Sequence, residues 1–177
     1  GFTITTEVCT HYMNSGEFPS QLKSQLAESL LKIEASMNQK FDSASSPLLV
    51  SVRSGARQSM PGMMETVLNV GLTSKTLPGL IQQSGDERFV YDAYRRLITM
   101  YSDVVMEKAQ GLQPTGGKGI REQLELILEN YKSTHHYTTD TDLTTEDLKI
   151  KPNIIIETPN PKTATSSFMP ALLLMGI

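Results

Sequence analysis

The sequence is poor in cysteine and carries no excess of positive charge, and each shortage excludes a class of protein. Cys9 is the one cysteine among 177 residues, so an internal disulfide and a thiolate metal cluster are both excluded. We expect Cys9 to be a small buried hydrophobe on a helix, in a protein of a reducing compartment. The formal net charge of −3 offers no basic field to a phosphate backbone, so a nucleic-acid partner is not expected.

Long apolar runs are missing as well. The run at 168–177 is apolar but too short to span a bilayer, so no membrane partner is expected. Anchoring of this stretch to a membrane or to another protein stays a minor alternative. The first residues of the sequence also show no basic n-region and no apolar signal h-region.

The chain does contain enough apolar material for one core. With 38% apolar and 20% charged residues over 177 positions, we expect one globular domain or a part of one. Apolar residues recur at steps of three and four, which predicts amphipathic helices. The predicted helices run from Thr5 or Thr6 to about Asn14, from Pro19–Ser20 through Met37, from Leu77 to Gly85, from Asp86 or Glu87 through Lys108, and from Ile120 to Tyr131.

Strands are predicted at residues 1–5 and at the apolar, β-branched run 48–52, which ends at Arg53. A loop of small residues follows, and a second strand or a short helix leads from it to Leu72. The backbone N–H groups of the loop, together with its arginines, suit an anion, and its methionines can lie against a flat base. On chemistry alone, a solvated turn with two surface arginines is an equal alternative. The candidate binding residues here are Arg53, Ser54, Gly55, Arg57, Met63 and Met64.

Several segments share a family resemblance that extends beyond this loop. They read GFTITTE at 1–7, SVRSGAR and SMPGMMETVLNVGL within 51–72, RFVYDAYRR at 88–96, MYSDVVM at 100–106 and DTDLTTEDLK at 140–149. In this order they resemble the nucleotide-binding domain of pyruvate phosphate dikinase, with one poorly matching stretch near 107–138. The resemblance implies a partial ATP-grasp domain at 1–149, of α/β or α+β class, helix-rich with a small sheet. Residues 150–177 are then a non-family tail, which we expect to be poorly structured.

The resemblance also implies a reaction and roles for two arginines. Family members convert ATP, phosphate and pyruvate into AMP, pyrophosphate and phosphoenolpyruvate, through a phosphohistidine on a separate domain. Arg53 resembles the residue that grips the triphosphate, and Arg96 the one that neutralises the transferring phosphoryl group. The neighbouring Arg95 is expected to face solvent or to pair with Asp92.

The resemblance further implies groups that this sequence does not contain. A lysine-bearing turn precedes residue 1 in the family, so we interpret residue 1 as a product of truncation. The carboxylates that hold Mg²⁺ are expected outside this chain, and pyruvate is expected to act only through other domains. By itself, the fragment is therefore expected to be inactive. Full-length members are expected to be homodimers in the cytoplasm, or in an organelle if a targeting segment has been lost.

Two other motifs suggest a phosphate-binding loop and a metal site, but neither prediction is supported by the residues present. Residues 112–119 read LQPTGGKG, which lacks the first Gly and the final Ser or Thr of a phosphate-binding P-loop, so a hinge or loop is predicted. His135 and His136 precede Asp140 and Asp142, but adjacent histidines on a polar loop are expected to be solvated rather than metal-bound.

Two other function classes stay open. A phosphoenolpyruvate synthase, a water-using relative, shares the Arg-Ser start of the loop, but its typical loop continues with acidic residues where this chain has SMPGMM at 59–64. The other class is a truncated, non-catalytic fragment that binds nothing, or binds a partner through its leucine-rich tail.

Overall fold

The computed structural model describes residues 1–53, 66–109 and 118–149, which form a helix-rich α+β structure with a two-stranded antiparallel sheet. The predicted tail and the loop at 54–65 lie outside the described residues, as does most of the predicted hinge. The elements are α1 Thr6–Ser15, α2 Leu22–Met37, β1 Val50–Arg53, β2 Thr66–Val70, α3 Leu77–Ser84, α4 Glu87–Tyr101, a π-helix Ser102–Ala109, α5 Ile120–Thr134, a 3₁₀ turn Asp140–Asp142, and helical residues 145–149.

Local signals place three helix ends where the sequence predicts them, whereas α2 begins at Leu22 and not at Pro19–Ser20. Gly16 and Gly85 end α1 and α3 in the left-handed conformation, with φ of 73° and 69°, and their amides bond back into the helix. Asp86 caps α4 because its carboxylate accepts the amide of Phe89. Thr5 precedes α1 with extended backbone, but it makes no side-chain cap bond.

Of two predictions about the first 40 residues, one is wrong and the other is right only in part. Residues 1–5 form no strand, because Thr5 leads directly into α1 and Ile4 packs beside the small α1–α2 cluster around Leu22 and Leu26. The predicted apolar stripe of α2 is buried only in its first half. At its far end the side chain of Met37 is 58% exposed.

The main core forms where the β1–β2 hairpin packs on α4. The register pairs Val50 with Val70, Val52 with Val67 and Arg53 with Thr66, with an irregularity between Val50 and Val52. Val67 and Val70 face the core, 1% and 4% exposed. Paired residues of antiparallel strands point to the same face, and successive residues along a strand point to opposite faces. Arg53 and Thr66, the pair next to Val52 and Val67, therefore lie on the outer face.

The loop before α3 fits closely under that helix. Thr76 is fully buried, and its hydroxyl donates to the carbonyl of Gly71 and accepts the amide of Thr73. Gly79 is buried against the backbone of Ala44, where an added Cβ would lie 2.3 Å from the Ala44 carbonyl oxygen. This contact requires glycine at position 79.

The long helix predicted from Asp86 through Lys108 is present, but its hydrogen bonding changes at Ser102. Val90 and Val105, on the predicted stripe, are both fully buried. Ser102 begins a π-helix, and its hydroxyl donates to the carbonyl of Ile98, so a side chain engages a helix carbonyl where the bonding step widens. Further along, the Glu107 carboxylate accepts the amide of Ile120 and so meets the start of α5.

The segment after α5 folds back onto α4 and α5. The Thr144 amide and hydroxyl donate to the Asp147 carboxylate, and the Asp147 amide donates to the Thr144 hydroxyl, so the two residues form a capping box. Leu143 and Leu148 are each 1% exposed and pack together with Leu128. The segment is therefore a docked part of the fold.

Arg88 holds this segment by its backbone. Its Nε donates to the Leu143 carbonyl at 2.7 Å, and its Nη2 donates to the Asp140 carbonyl at 2.8 Å. We call this pair of bonds the Arg88 latch. A guanidinium can donate along two directions at a fixed angle, which an ammonium group cannot reproduce.

Arg88→Lys is therefore expected to lower the free energy of unfolding by about 1.5 kcal/mol, the typical value of one hydrogen bond to a charged group. Urea unfolding of both proteins measures the difference. Arg121→Lys is the matched control, because Arg121 is 56% exposed and bonds Glu125 at the surface, so a change below about 0.5 kcal/mol is expected. Equal stability of Arg88→Lys and the parent would contradict the latch.

Candidate functional site

A groove of about 460 Å³ lies between the outer face of β2, α4 and α5. Its lining surface is mostly apolar, and three of the lining residues are arginines. Such a combination is typical of a site for a ligand that joins an apolar part to an anionic group. The lining residues come from β2 (Leu68, Asn69), α4 (Arg95, Arg96, Ile98, Thr99, Met100), α5 (Arg121, Leu124, Glu125, Ile127, Leu128, Glu129) and the following turn (Asp140).

Arg53 lies on the hairpin that contributes Leu68 and Asn69 to this groove. It is the last residue of β1, its side chain is exposed, and it pairs with Thr66 at the start of β2. Leu68 is two residues further along β2, 41% exposed, and lines the groove. Arg53 thus shares the outer face of the hairpin with Leu68, one diagonal neighbour away.

The paired arginines of α4 both line the groove and differ in exposure. Arg95 is 16% exposed and bonds the Asp92 Oδ1 through both Nε and Nη2. Arg96 is 61% exposed and bonds the Asp92 Oδ2 through Nε at 2.7 Å. Asp92 therefore pairs with both arginines, whereas the sequence predicts it as a partner of Arg95 only.

Arg95 belongs to a network that joins α4, α5 and the 3₁₀ turn. Asp140 receives Arg95 Nη2 at 3.0 Å and Lys132 Nζ at 2.9 Å, and Lys132 also bonds Glu129. The hydrogen bond from Lys132, supported by the charges of Lys132 and Arg95, lowers the pKa of Asp140 although its burial acts in the opposite direction. These contacts connect residues up to 45 positions apart, so sequence periodicity could not reveal them.

Arg121 is a groove residue that sequence reasoning missed. It lies in the first turn of α5, bonds Glu125 at 2.9 Å and approaches Asp103 at 3.6 Å. The Glu125 carboxylate raises the pKa of Arg121, and Asp103 adds to the effect. The (i, i+4) spacing of Arg121 and Glu125 could have marked the pair, but not its place in the groove.

Of the two predicted arginines that the structure describes, Arg96 lines the groove and Arg53 lies on the hairpin whose second strand lines it. The remaining predicted ligands belong to the loop at 54–65, outside the described residues: Ser54, Gly55, Arg57, Met63 and Met64. The residues that flank this loop, Arg53 and Thr66, are described, and they pair with each other across the two strands.

The predicted solvation of the two histidines agrees with the structure, since both are exposed. His135 stacks on Tyr131 with ring centres 4.0 Å apart. Within residues 1–53, 66–109 and 118–149, no group of three His, Cys, Asp or Glu side chains is placed to hold a metal. In the same residues, none of the helices combines the length and apolar character that crossing a bilayer requires.

Comparison with known proteins identifies the family of this chain. The family described as "Pyruvate phosphate dikinase, AMP/ATP-binding domain" matches residues 2–134. A pyruvate, phosphate dikinase from Clostridium symbiosum is 45% identical over 150 residues, which cover 84% of this chain and 16% of that protein. A pyruvate, phosphate dikinase from Giardia intestinalis is 39% identical over 149 residues, and the chloroplastic pyruvate, phosphate dikinase 1 of Oryza sativa subsp. japonica is 43% identical over 150, covering 16% and 15% of those proteins.

The chain belongs to the pyruvate phosphate dikinase AMP/ATP-binding domain family. It spans about one sixth of the length of these relatives, since 16% of the Clostridium symbiosum protein is matched. The family resemblance of the sequence is confirmed by this match.

Proposed function

We propose that this chain is the ATP-binding part of a pyruvate phosphate dikinase and belongs to an ATP-grasp domain. One observation carries the proposal: Arg53 ends β1 at the start of the small-residue loop, on the hairpin face that leads to the groove holding Arg96. The family is described as an AMP/ATP-binding domain, which points to a nucleotide as the ligand. The two arginines provide positive charge that can compensate the negative charge of a triphosphate. The domain is proposed to occupy residues 1–149, with 150–177 as a tail outside it.

The proposed division of roles follows from position. Arg53, with the loop backbone from Ser54 and Gly55 and the side chain of Arg57, binds the triphosphate. Arg96 neutralises charge on the transferring phosphoryl group, because transfer of phosphate depends mainly on positioning and electrostatic stabilisation. The loop around Met63 and Met64 faces the nucleotide.

The remaining chemistry is assigned to other parts of the full protein. Among the described residues, no group of three His, Cys, Asp or Glu side chains is placed to hold a metal, and the Mg²⁺ ligands are proposed on other parts of the enzyme. The phosphohistidine and the pyruvate site are likewise proposed on other domains, in a homodimer located in the cytoplasm or an organelle.

Binding of pyrophosphate and ATP tests the proposal. Arg53→Ala and Arg96→Ala are each expected to weaken pyrophosphate binding by a factor of about 10 to 100, because each removes a charge-assisted hydrogen bond worth about 1.5–3 kcal/mol. Isothermal titration calorimetry of the 177-residue chain measures the affinities.

Lys32→Ala is the matched control for the loss of one charge. Lys32 is 73% exposed and pairs with Glu28 four residues earlier on a helix, just as Arg96 pairs with Asp92, but it lies on α2. The control should bind pyrophosphate as the parent does. If both arginine variants also retain the parent affinity, the phosphate site is not here.

A further inference from the structure

Asp92 occupies a fixed point between the two arginines of α4. Its side chain is 16% exposed, and each carboxylate oxygen serves a different arginine. Oδ1 accepts two bonds from Arg95, at 3.1 Å and 2.8 Å, and Oδ2 accepts Arg96 Nε at 2.7 Å. Arg95 is itself tied to Asp140, so the Asp92 carboxylate is held from the side opposite Arg96.

The hydrogen bond that Arg96 donates to Asp92 determines which edge of the guanidinium faces outward. A guanidinium binds phosphate best by two parallel N–H bonds from one edge. Asp92 uses Nε, at the inner end of the group, and Nε does not belong to the Nη1–Nη2 edge. An arginine that is 61% exposed would otherwise sample many rotamers, whose loss opposes ligand binding.

We infer that Asp92 is a positioning residue for phosphate recognition: its carboxylate holds Arg96 so that the Nη1–Nη2 edge is presented to a phosphate group in the groove. The inference rests on the proposed function, since it needs Arg96 to contact phosphate. It adds a residue that acts only through Arg96 and does not touch the ligand.

The direction in which one substitution changes the affinity for phosphate distinguishes a positioning role from a simple charge effect. Asp92→Asn removes a negative charge near an anion site, and the charge effect alone would tighten anion binding. An asparagine has one acceptor oxygen, so it can serve one arginine while its NH₂ group faces the other, and NH₂ cannot accept a bond from Arg96 Nε. Loss of positioning therefore weakens binding, opposite to the charge effect.

The expected result is that Asp92→Asn weakens pyrophosphate binding by a factor of about 5, measured by calorimetry at one fixed salt concentration. Glu122→Gln is the charge control, because Glu122 is exposed on α5 outside the groove lining and its substitution changes the net charge equally. Glu122→Gln should leave the affinity unchanged or raise it. Circular dichroism of each variant verifies the helical fold, which excludes unfolding as the cause of weaker binding.

A double-mutant cycle shows whether Asp92 acts through Arg96. In the Arg96→Ala background, Asp92→Asn should no longer weaken pyrophosphate binding. If Arg96→Ala weakens binding but Asp92→Asn leaves it equal or tighter, the inference is overturned while the proposed function stands. If Asp92→Asn weakens binding equally with and without Arg96, Asp92 acts on the ligand by another route and the inference is also wrong. If Arg96→Ala has no effect at all, both the site and the inference fail.

Discussion

Gly79→Ala is expected to destabilise the chain by about 3 kcal/mol, although alanine is the better helix former by about 1 kcal/mol. Gly79 is buried in α3, and an added Cβ would lie 2.3 Å from the backbone oxygen of Ala44 and 3.1 Å from Pro47. Since the nearest obstacle is backbone and not the end of a flexible side chain, the clash is relieved only by moving the 42–47 loop away from α3.

Urea unfolding followed by circular dichroism measures this effect. Gln82→Ala is the control, because Gln82 is exposed on the same helix and its replacement is expected to change stability by less than about 0.5 kcal/mol. A Gly79→Ala protein as stable as the parent, or more stable, would show that helix propensity outweighs the contact with Ala44.

Asp147→Ala is expected to cost about 3 kcal/mol, because one carboxylate serves three partners. It receives the amide and hydroxyl of Thr144, and the hydroxyls of Tyr131 and Tyr137. Loss of the helix cap accounts for about 1 kcal/mol, and the two tyrosine hydroxyls that lose this acceptor account for the rest. Glu146→Ala is the neighbouring control, since its carboxylate is 77% exposed and pairs only at the surface with Lys149.

The same carboxylate predicts a dependence of stability on pH. Burial raises the pKa of Asp147, but the hydrogen bonds from Thr144, Tyr131 and Tyr137 outweigh burial and lower the pKa from 3.8 to about 2. Because the folded pKa is the lower one, this contribution is complete above the unfolded pKa and is lost as pH falls from about 4 to about 2. Thermal melts of the parent and of Asp147→Asn should therefore differ most near neutral pH and converge toward pH 2. A constant difference at every pH would contradict the assignment.

The parts of the fold that depend on neighbouring residues could be predicted from the sequence. Gly85 ends one helix, Asp86 begins the next, and Thr144 with Asp147 opens the last, because each signal acts within one helical turn. The strand predicted at 1–5 failed for a related reason. Strand bonding needs a partner elsewhere in the chain, which a local pattern cannot supply, whereas helix α1 needs none.

In the candidate site as well, local features could be predicted from the sequence, and contacts between distant elements could not. Arg53 at the end of a strand and the Asp92–Arg95 pair follow from local spacing. That Arg96 faces outward as the phosphate-binding residue stays a prediction, which its exposure supports. The bond from Arg95 to Asp140 and the place of Arg121 in the groove depend on how α4, α5 and the 3₁₀ turn come together, and no local pattern encodes that packing.

The Arg88 latch has a consequence for how this domain can diverge between species. Both of its bonds end on main-chain carbonyls, at Asp140 and Leu143. Every amino acid carries such a carbonyl, so substitutions at positions 140 and 143 leave the latch itself intact, even where they alter the Asp140 ion pairs or the packing of Leu143. Position 88 is more restricted, because a guanidinium donates from two nitrogens at a fixed angle and lysine does not. We therefore expect tolerance to substitution across the latch to be unequal, with the held segment freer to change its side chains than the residue that holds it.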